Sequence, residues 1–367
     1  MTRFSDEHSE DLVTIATRAA RRALEDAERS EADVTSVHVG TMLGAVHNDQ
    51  PGLANAVCGA LGLTGIVADT IDNTSASGAS SVLRAIEAVA SGRSSAALAI
   101  GAEKMSGYTE TVTEAISHLT HGREHAQGIT LPSFGGLAAS AYFDRYGATR
   151  EALARVGVKN HRHALANEFA QFHRDISIAD VLESPIIASP LRLYDCCPMS
   201  DGAAAVVITA ADEPVRISAV AGATGTHAVA DRSDPLAIES VRDAGAHALR
   251  RAERSREDID VACIHDAFSI LEWLELEELG FYNPGQAWKA TAAGETDRDG
   301  MLPVNPGGGL KARGHPLGAT GVAQLIEVYC QLIAAAGDRQ VEDAQIGLAL
   351  NVAGFGNNAI CTVLEAQ

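Results

Sequence analysis

Short apolar runs alternate with amphipathic stretches along this chain. Val34–Val39, Val67–Ile71, Ala96–Gly101, Gly202–Ile208, Ile259–Ile264 and Ile346–Asn351 read as strands set between turns. Residues 79–91 and 318–335 read as helices, the second with its body over Val322–Ala335. The pattern then repeats. Ala23-Leu24-Glu25-Asp26-Ala27-Glu28-Arg29-Ser30 returns as Ala248-Leu249-Arg250-Arg251-Ala252-Glu253-Arg254-Ser255, and Asp33 returns as Asp258, all at an offset of 225 residues. Each copy is an amphipathic helix, a polar turn and an apolar strand. Helix 79–91 with its strand at Ala96 likewise has a counterpart in helix 318–335 with its strand at Ile346. Two matches in the same order indicate internal duplication.

Each half therefore predicts an α/β layer unit, with mostly parallel strands and helices on the sheet faces. The halves divide as 1–210 and 211–367. The stretch from about 103 to 200 is rich in histidine and glycine and too long for a simple connection. An irregular cap or substrate loop is expected there.

With 367 residues, 46% of them hydrophobic, the chain can bury a large core and more than one domain. A net charge of −20, with only four lysines (104, 159, 289, 311), disfavours nucleic acids and anionic membranes as partners and fits a high-salt cytoplasm. The six cysteines lack metal-ligand spacing, so neither zinc nor a disulfide framework is expected. The N-terminus shows no signal-peptide pattern, and apolar runs fall short of the ~20 residues of a membrane helix. A soluble cytoplasmic protein is the expectation.

Ligands of such sheets gather beyond the carboxyl ends of strands, which singles out four segments. The most informative is 305–321, Asn-Pro-Gly-Gly-Gly-Leu-Lys-Ala-Arg-Gly-His-Pro-Leu-Gly-Ala-Thr-Gly. It predicts a tight turn presenting His315, with Pro316 stiffening it and the next helix aiming free N–H groups at the same point. Such an imidazole suits work on an oxyanion; the alternative is a structural glycine loop. In 72–78, Ser75 and Ser77 lie on a strand-to-helix turn, as an exposed nucleophile or as helix caps. His265, in His-Asp-Ala-Phe, is either a core histidine or a site residue. The last segment, 350–356, is a glycine turn whose N–H groups suit an oxyanion.

Together these segments resemble the thiolase superfamily over nearly the whole chain. Gly-His-Pro-Leu-Gly-Ala-Thr-Gly is the most specific motif, and His-Asp-Ala-Phe is similar to the sterol-carrier-protein-type and archaeal thiolases. The resemblance implies an α/β thiolase fold, two βαβαβαββ halves in a five-layer α-β-α-β-α arrangement. It implies acyl transfer between coenzyme A thioesters, with no metal and no tightly bound cofactor. Ser75 stands where the family nucleophile is cysteine. Asn351 and Ala267 stand where a second cysteine is found, and no other cysteine falls in a comparable place. In this the chain is most similar to haloarchaeal β-ketothiolase catalytic subunits, in which a serine and two histidines replace the cysteine pair.

On that resemblance Ser75 is the nucleophile, His315 its base, and His265 polarises the second thioester carbonyl. The oxyanion falls to the N–H groups of Ser75 and Ala353, with Gly354 beside the latter. Which histidine removes the Cα proton stays open. A homo-oligomer and a small partner subunit of OB-fold and zinc-ribbon type are expected. Two other readings remain: a retro-aldol C–C lyase, with Tyr282 and Tyr329 as spare acids or bases, and an idle CoA-binding subunit. Arg123, Lys159, Arg162 and Arg174 are either contacts to CoA phosphates or solvated charges. Thiolases open on an apolar strand, whereas this chain starts Met1-Thr2-Arg3-Phe4. Either the start lies upstream, or the first strand is missing and its place is covered otherwise.

Overall fold

The computed structural model describes residues 1–107 and 109–367. Its elements run α1 (Leu12–Asp26), β1 (Ser36–Gly40), α2 (Leu53–Leu61), β2 (Val67–Ile71), α3 (Ser77–Ala90) and β3 (Ala96–Glu103). Next come α4 (Thr109–Ser117), α5 (Gly122–His125), α6 (Leu131–Tyr146), α7 (Arg150–Ala164), α8 (Ile178–Glu183), β4 (Ile186–Ala188), β5 (Leu191–Arg192) and β6 (Gly202–Thr209). The remainder is β7 (Val215–Thr224), α9 (Glu239–Ala252), β8 (Val261–Cys263), α10 (Ser269–Glu278), α11 (Ala287–Ala293), α12 (Leu317–Leu332), β9 (Ile346–Ala353) and β10 (Asn358–Ala366). No helix among the described residues is long and apolar enough to cross a membrane.

The chain forms two compact units. The first comprises Met1–Ala115, Met199–Glu213 and His315–Ile326; the second comprises Ile116–Pro198, Pro214–Gly314 and Glu327–Gln367. In the first, the sheet order is β2-β1-β3-β6, with β1 parallel to both neighbours and β6 antiparallel to β3. The Asp11 side chain caps α1 by accepting the Thr14 N–H at 2.8 Å. Its apolar stripe, Leu12, Ile15, Ala16, Ala19 and Ala23, then packs with Val37, Val39, Leu98 and Ile100.

The expected gap at the first strand needs correcting. Residues 2–5 run along the open edge of β6, with Thr2 N–H on Ala203 O at 2.8 Å and Ser5 and Asp201 exchanging backbone bonds. Phe4 is fully buried there, against a glycine, because a Cβ at Gly202 would lie 2.3 Å from its ring. This run fills the fifth position of the sheet, too short and irregular to show as an apolar strand.

The second unit carries the matching sheet, β7-β10-β9-β8, with β8 parallel to β9 and the other pairs antiparallel. Its own fifth position is also reduced: Ala262 bonds Pro303 O and Asn305 N–H across a single parallel bridge to Val304. Each unit thus follows the βαβαβαββ order that the thiolase resemblance implies. Element boundaries moved by a few residues; α12 starts at Leu317, directly after His315-Pro316, five residues ahead of its regular apolar stripe.

The segment expected to be an irregular cap is instead mostly helical, α4 to α8 with the β4–β5 hairpin. Three of its glycines, Gly135, Gly136 and Gly157, misled the pattern because they lie inside helices as contact points. A Cβ at Gly136 would meet Ala188 O at 2.7 Å, and one at Gly157 would meet Tyr194 O at 3.0 Å. Lys159, on α7, is neither a solvated charge nor a phosphate contact. It is buried in an ion pair with Glu272 at 2.6 Å.

His163 lies nearby, with Nδ1–H donating to Asn305 O at 3.1 Å and Nε2 accepting Arg298 N–H at 3.2 Å. Burial, reinforced by Lys159, holds its pKa down to about 3. The fold keeps the neutral ring, so this contribution to stability is complete above the unfolded value near 6.5 and is lost as pH falls through about 3. His163→Phe leaves the buried Asn305 carbonyl and the part-buried Arg298 N–H unpaired and should lower Tm by a few kelvin near neutral pH. Thermal scans of both proteins should show that gap closing as pH falls from 6.5 toward 3; a gap independent of pH would contradict the neutral-ring assignment.

Candidate active site

Ser75 lies on the loop joining β2 to α3. The residue before it, Thr74, has φ of 49°, a left-handed conformation uncommon outside glycine, held by its N–H on Asp72 Oδ1 at 2.9 Å. Ser77 closes the loop: its Oγ accepts Asn73 N–H at 2.8 Å and donates to Thr74 O at 2.6 Å. Ser77 thus ties the loop together, while α3 itself, with Ala76 at its N-cap, has no side-chain cap. The Ser75 hydroxyl has no hydrogen-bond partner among the described residues. It is not exposed, as a nucleophile elbow would suggest, but 4% accessible, because the start of α3 is pressed into its surroundings.

That pressure comes from glycine. Cβ atoms at Gly78 and Gly101 would lie 2.4 and 2.1 Å from Gly318 O, and one at Gly40 would lie 2.3 Å from Ser77 O. The first turns of α3 and α12 thus sit backbone against backbone on the ends of β1 and β3. Glu103, fully buried at the end of β3, completes the arrangement. Its Oε1 accepts Thr41 Oγ1–H (2.8 Å) and Leu43 N–H (3.0 Å), and its Oε2 accepts Met42 N–H (2.9 Å) and Gly318 N–H (3.0 Å). Burial pushes its pKa up to about 7 against these four bonds.

His315 is 4% accessible. Its N–H donates to Ser200 Oγ at 2.9 Å, and its Nδ1 lies 2.7 Å from Thr320 Oγ1. The tight turn expected before it is a π-helical turn, Gly309–Arg313, flanked by Gly308 (φ 102°) and Gly314 (φ 107°). Ser75 and His315 belong to the same unit, but no hydrogen bond joins them among the described residues.

In the second unit, His265 follows β8 by two residues and is 1% accessible. Its N–H donates to Glu275 Oε2 at 2.8 Å, and its Nδ1 receives Asn351 Nδ2 at 2.9 Å. The parallel register that pairs Cys263 with Ala349 carries His265 to Asn351 two residues on. Asp266, also buried, gathers Asn305 Nδ2, Leu310 N–H and Asn160 Nδ2 at 3.0, 2.8 and 2.7 Å. Burial raises Glu275 well above the usual carboxylate range.

Ala353 ends β9, and Gly354, with φ of 57°, opens the turn into β10. The backbone of Cys197 meets that of Ala267, its N–H donating to Ala267 O at 2.9 Å. Burial pushes the Cys197 thiol up to about 12, so it stays protonated and offers no base. Tyr282 is likewise pushed up to about 12 by burial and Glu295. Arg162 and Arg174 are exposed, and Arg123 is exposed and paired with Asp231. No cluster that could hold a metal ion occurs among the described residues. Asn351, Thr320, Glu103 and Glu275 were not singled out as site residues from sequence. Only Asn351 carried a signal, as the residue in place of a family cysteine.

Family models for the thiolase N-terminal domain and the thiolase C-terminal domain-like region match residues 1–212 and 221–366. An acetyl-CoA acetyltransferase of Methanothermobacter thermautotrophicus is 40% identical over 365 residues, 98% of this chain and 95% of that protein. Bovine (Bos taurus) sterol carrier protein 2 is 31% identical across 100% of this chain and 70% of its own length. Among solved structures, the Ltp2–ChsH2(DUF35) aldolase superposes with a TM-score of 0.82 at 24% identity, covering 100% of this chain and 95% of that one. Human mitochondrial 3-ketoacyl-CoA thiolase in complex with CoA gives 0.78 at 16%, covering 100% and 96%.

The glycine contacts yield a direct test. Gly101→Ala drives a methyl into Gly318 O, a backbone atom, and should cost several kelvin in Tm or abolish soluble expression. Gly59→Ala, inside α2 with nothing near the new methyl, should be neutral or raise Tm slightly. Equal melting temperatures for the two variants would contradict the close-approach role.

Proposed function

The chain belongs to the thiolase family, and we propose that it is an acetyl-CoA C-acyltransferase working through an acyl-serine and two histidines. One observation carries this reading. On the loop before α3 the Ser77 hydroxyl is consumed by backbone, while the Ser75 hydroxyl, after a left-handed Thr74 and at a helix N-terminus, is left unpaired among the described residues. A serine in that setting is poised to react rather than to cap.

In the first half-reaction Ser75 Oγ attacks the thioester carbonyl carbon of one acyl-CoA. Its proton passes to His315, the C–S bond breaks, and CoA leaves as the thiol with that proton. In the second, the Cα of another acyl-CoA loses a proton and attacks the acyl-serine. The ester C–O bond breaks, Ser75 regains its proton, and a 3-ketoacyl-CoA departs. His265 stabilises the enolate, and Ala353 and Gly354 keep the proposed part of backbone donors. Coenzyme A thioesters are substrates here, with no tightly bound cofactor. The aldolase neighbour is a complex with a DUF35 protein; for this chain we propose a small OB-fold and zinc-ribbon partner and a homo-oligomeric state.

The test is thiolysis of acetoacetyl-CoA, with intact-mass detection of the acyl-enzyme. Ser75→Ala should lose on the order of 10³-fold or more in acyl transfer with an unchanged Tm. Ser75→Cys should stay active, since a thiol ionises far more readily than a hydroxyl. Full turnover by Ser75→Ala, with C–C cleavage and no trapped acyl group, would establish the retro-aldol lyase instead. The purified chain alone should be weakly active, and adding the small subunit should raise its rate; no change in rate or in elution volume would remove the partner from the scheme.

A further inference from the structure

We infer that the two histidines are held in opposite tautomers, so that His315 carries every proton while His265 only donates a hydrogen bond, with Thr320 and Asn351 as the residues that set them. The inference rests on the acyl-serine reading and assigns its proton transfers.

At His315 the deciding atom is Thr320 Oγ1, which lies 2.7 Å from Nδ1 and 2.9 Å from Pro316 O. A carbonyl oxygen only accepts, so both contacts are hydrogen bonds only when the single hydroxyl hydrogen points at Pro316, whose oxygen also takes the Ala319 and Thr320 N–H groups, and a lone pair faces the ring. Nδ1 then bears the hydrogen, and Nε2 is left with its lone pair. At His265 the order is reversed. An amide nitrogen only donates, so Asn351 Nδ2, 2.9 Å away, makes Nδ1 the acceptor and puts the hydrogen on Nε2. Both rings are buried and both backbones anchored, His315 by Ser200 and His265 by Glu275. Exchanging tautomers would leave a buried polar group without its partner, a preference of about tenfold or more.

The chemistry follows from which nitrogen is bare. Nε2 of His315 can take the Ser75 hydroxyl proton as Oγ bonds to the acyl carbon, and can return it to the CoA thiolate as the C–S bond breaks. The same nitrogen can take the Cα proton of the second acyl-CoA and pass it to Ser75 Oγ as the ester bond breaks. Each half-reaction leaves it bare again. His265 has no lone pair to offer without losing Asn351. Its Nε2–H instead serves as the donor to the thioester oxygen on which enolate charge develops.

Asn351 Oδ1 is buried without a partner among the described residues. The competing structure is therefore an amide turned end for end, which would give His265 the same tautomer as His315. Ring nitrogen shifts of the ¹⁵N-histidine-labelled full chain decide between them, read above the histidine titration range, with His265→Gln and His315→Gln assigning the signals. We expect a protonated Nδ1 on His315 and a protonated Nε2 on His265; a shared tautomer or averaged shifts overturn the inference. Asn351→Asp replaces the donor by an acceptor, so it should switch His265 to the Nδ1–H form. It should also slow condensation about tenfold more than acyl-serine formation. Thr320→Val should release the His315 tautomer and slow acyl-serine formation about tenfold or more, and Thr320→Ser should restore both. An unswitched His265 in Asn351→Asp, or an unmoved His315 in Thr320→Val, would remove that residue from its role. The shifts are read without substrate, so wrong tautomers refute this assignment alone. Correct tautomers with no acyl-serine refute the function alone.

Discussion

Glu103 has two buried oxygens and four donors aimed at them, and the position of the loop after β1 and of the turn that carries His315 depends on that arrangement. A carboxylate taken out of water is tolerated only where hydrogen bonds replace its hydration. The donors come from the loop after β1 and from the first turn of α12, so both have one placement that satisfies the charge. The Gly318 N–H on Glu103 Oε2 ties the helix start that follows His315 to the end of β3. Asp266 does the same work in the second unit, drawing Asn160, Asn305 and Leu310 onto one carboxylate beside His265.

Such pinning works only if the backbones can come close enough. Gly40, Gly78, Gly101 and Gly318 supply the room, each at a place where a methyl group would overlap a backbone atom. The glycines and the carboxylate are therefore one device: the first allows contact between helix start and strand end, and the second fixes its register. A rigid loop of this kind suits catalysis that depends on preorganised groups.

The duplicated frame has diverged where chemistry is needed and where it is not. In the first unit the reduced fifth strand is residues 2–5 beside β6; in the second it is residues 303–305 beside β8. The loop before α3 presents a hydroxyl, and the turn before α12 presents an imidazole. Each sits ahead of a helix whose first turn is glycine-bearing.

Much of this was legible in the chain itself. The 225-residue repeat marked a helix and a strand in each sheet, α1 with β1 and α9 with β8, but residues 116–198, counted with the first half, fall in the second unit; the glycine spacing around His315 marked a close backbone approach. The segment from 103 to 200 misled, since a glycine that serves a helix–backbone contact looks the same as one that breaks a helix. The engagement of the Ser77 hydroxyl by backbone, the burial of Lys159, and Thr2 to Ser5 completing the sheet came only with tertiary structure. So did the pairing of His265 with Asn351 and of His315 with Thr320. A sequence records which donors and acceptors exist. Strand register, burial and the competition for each hydrogen decide which of them meet.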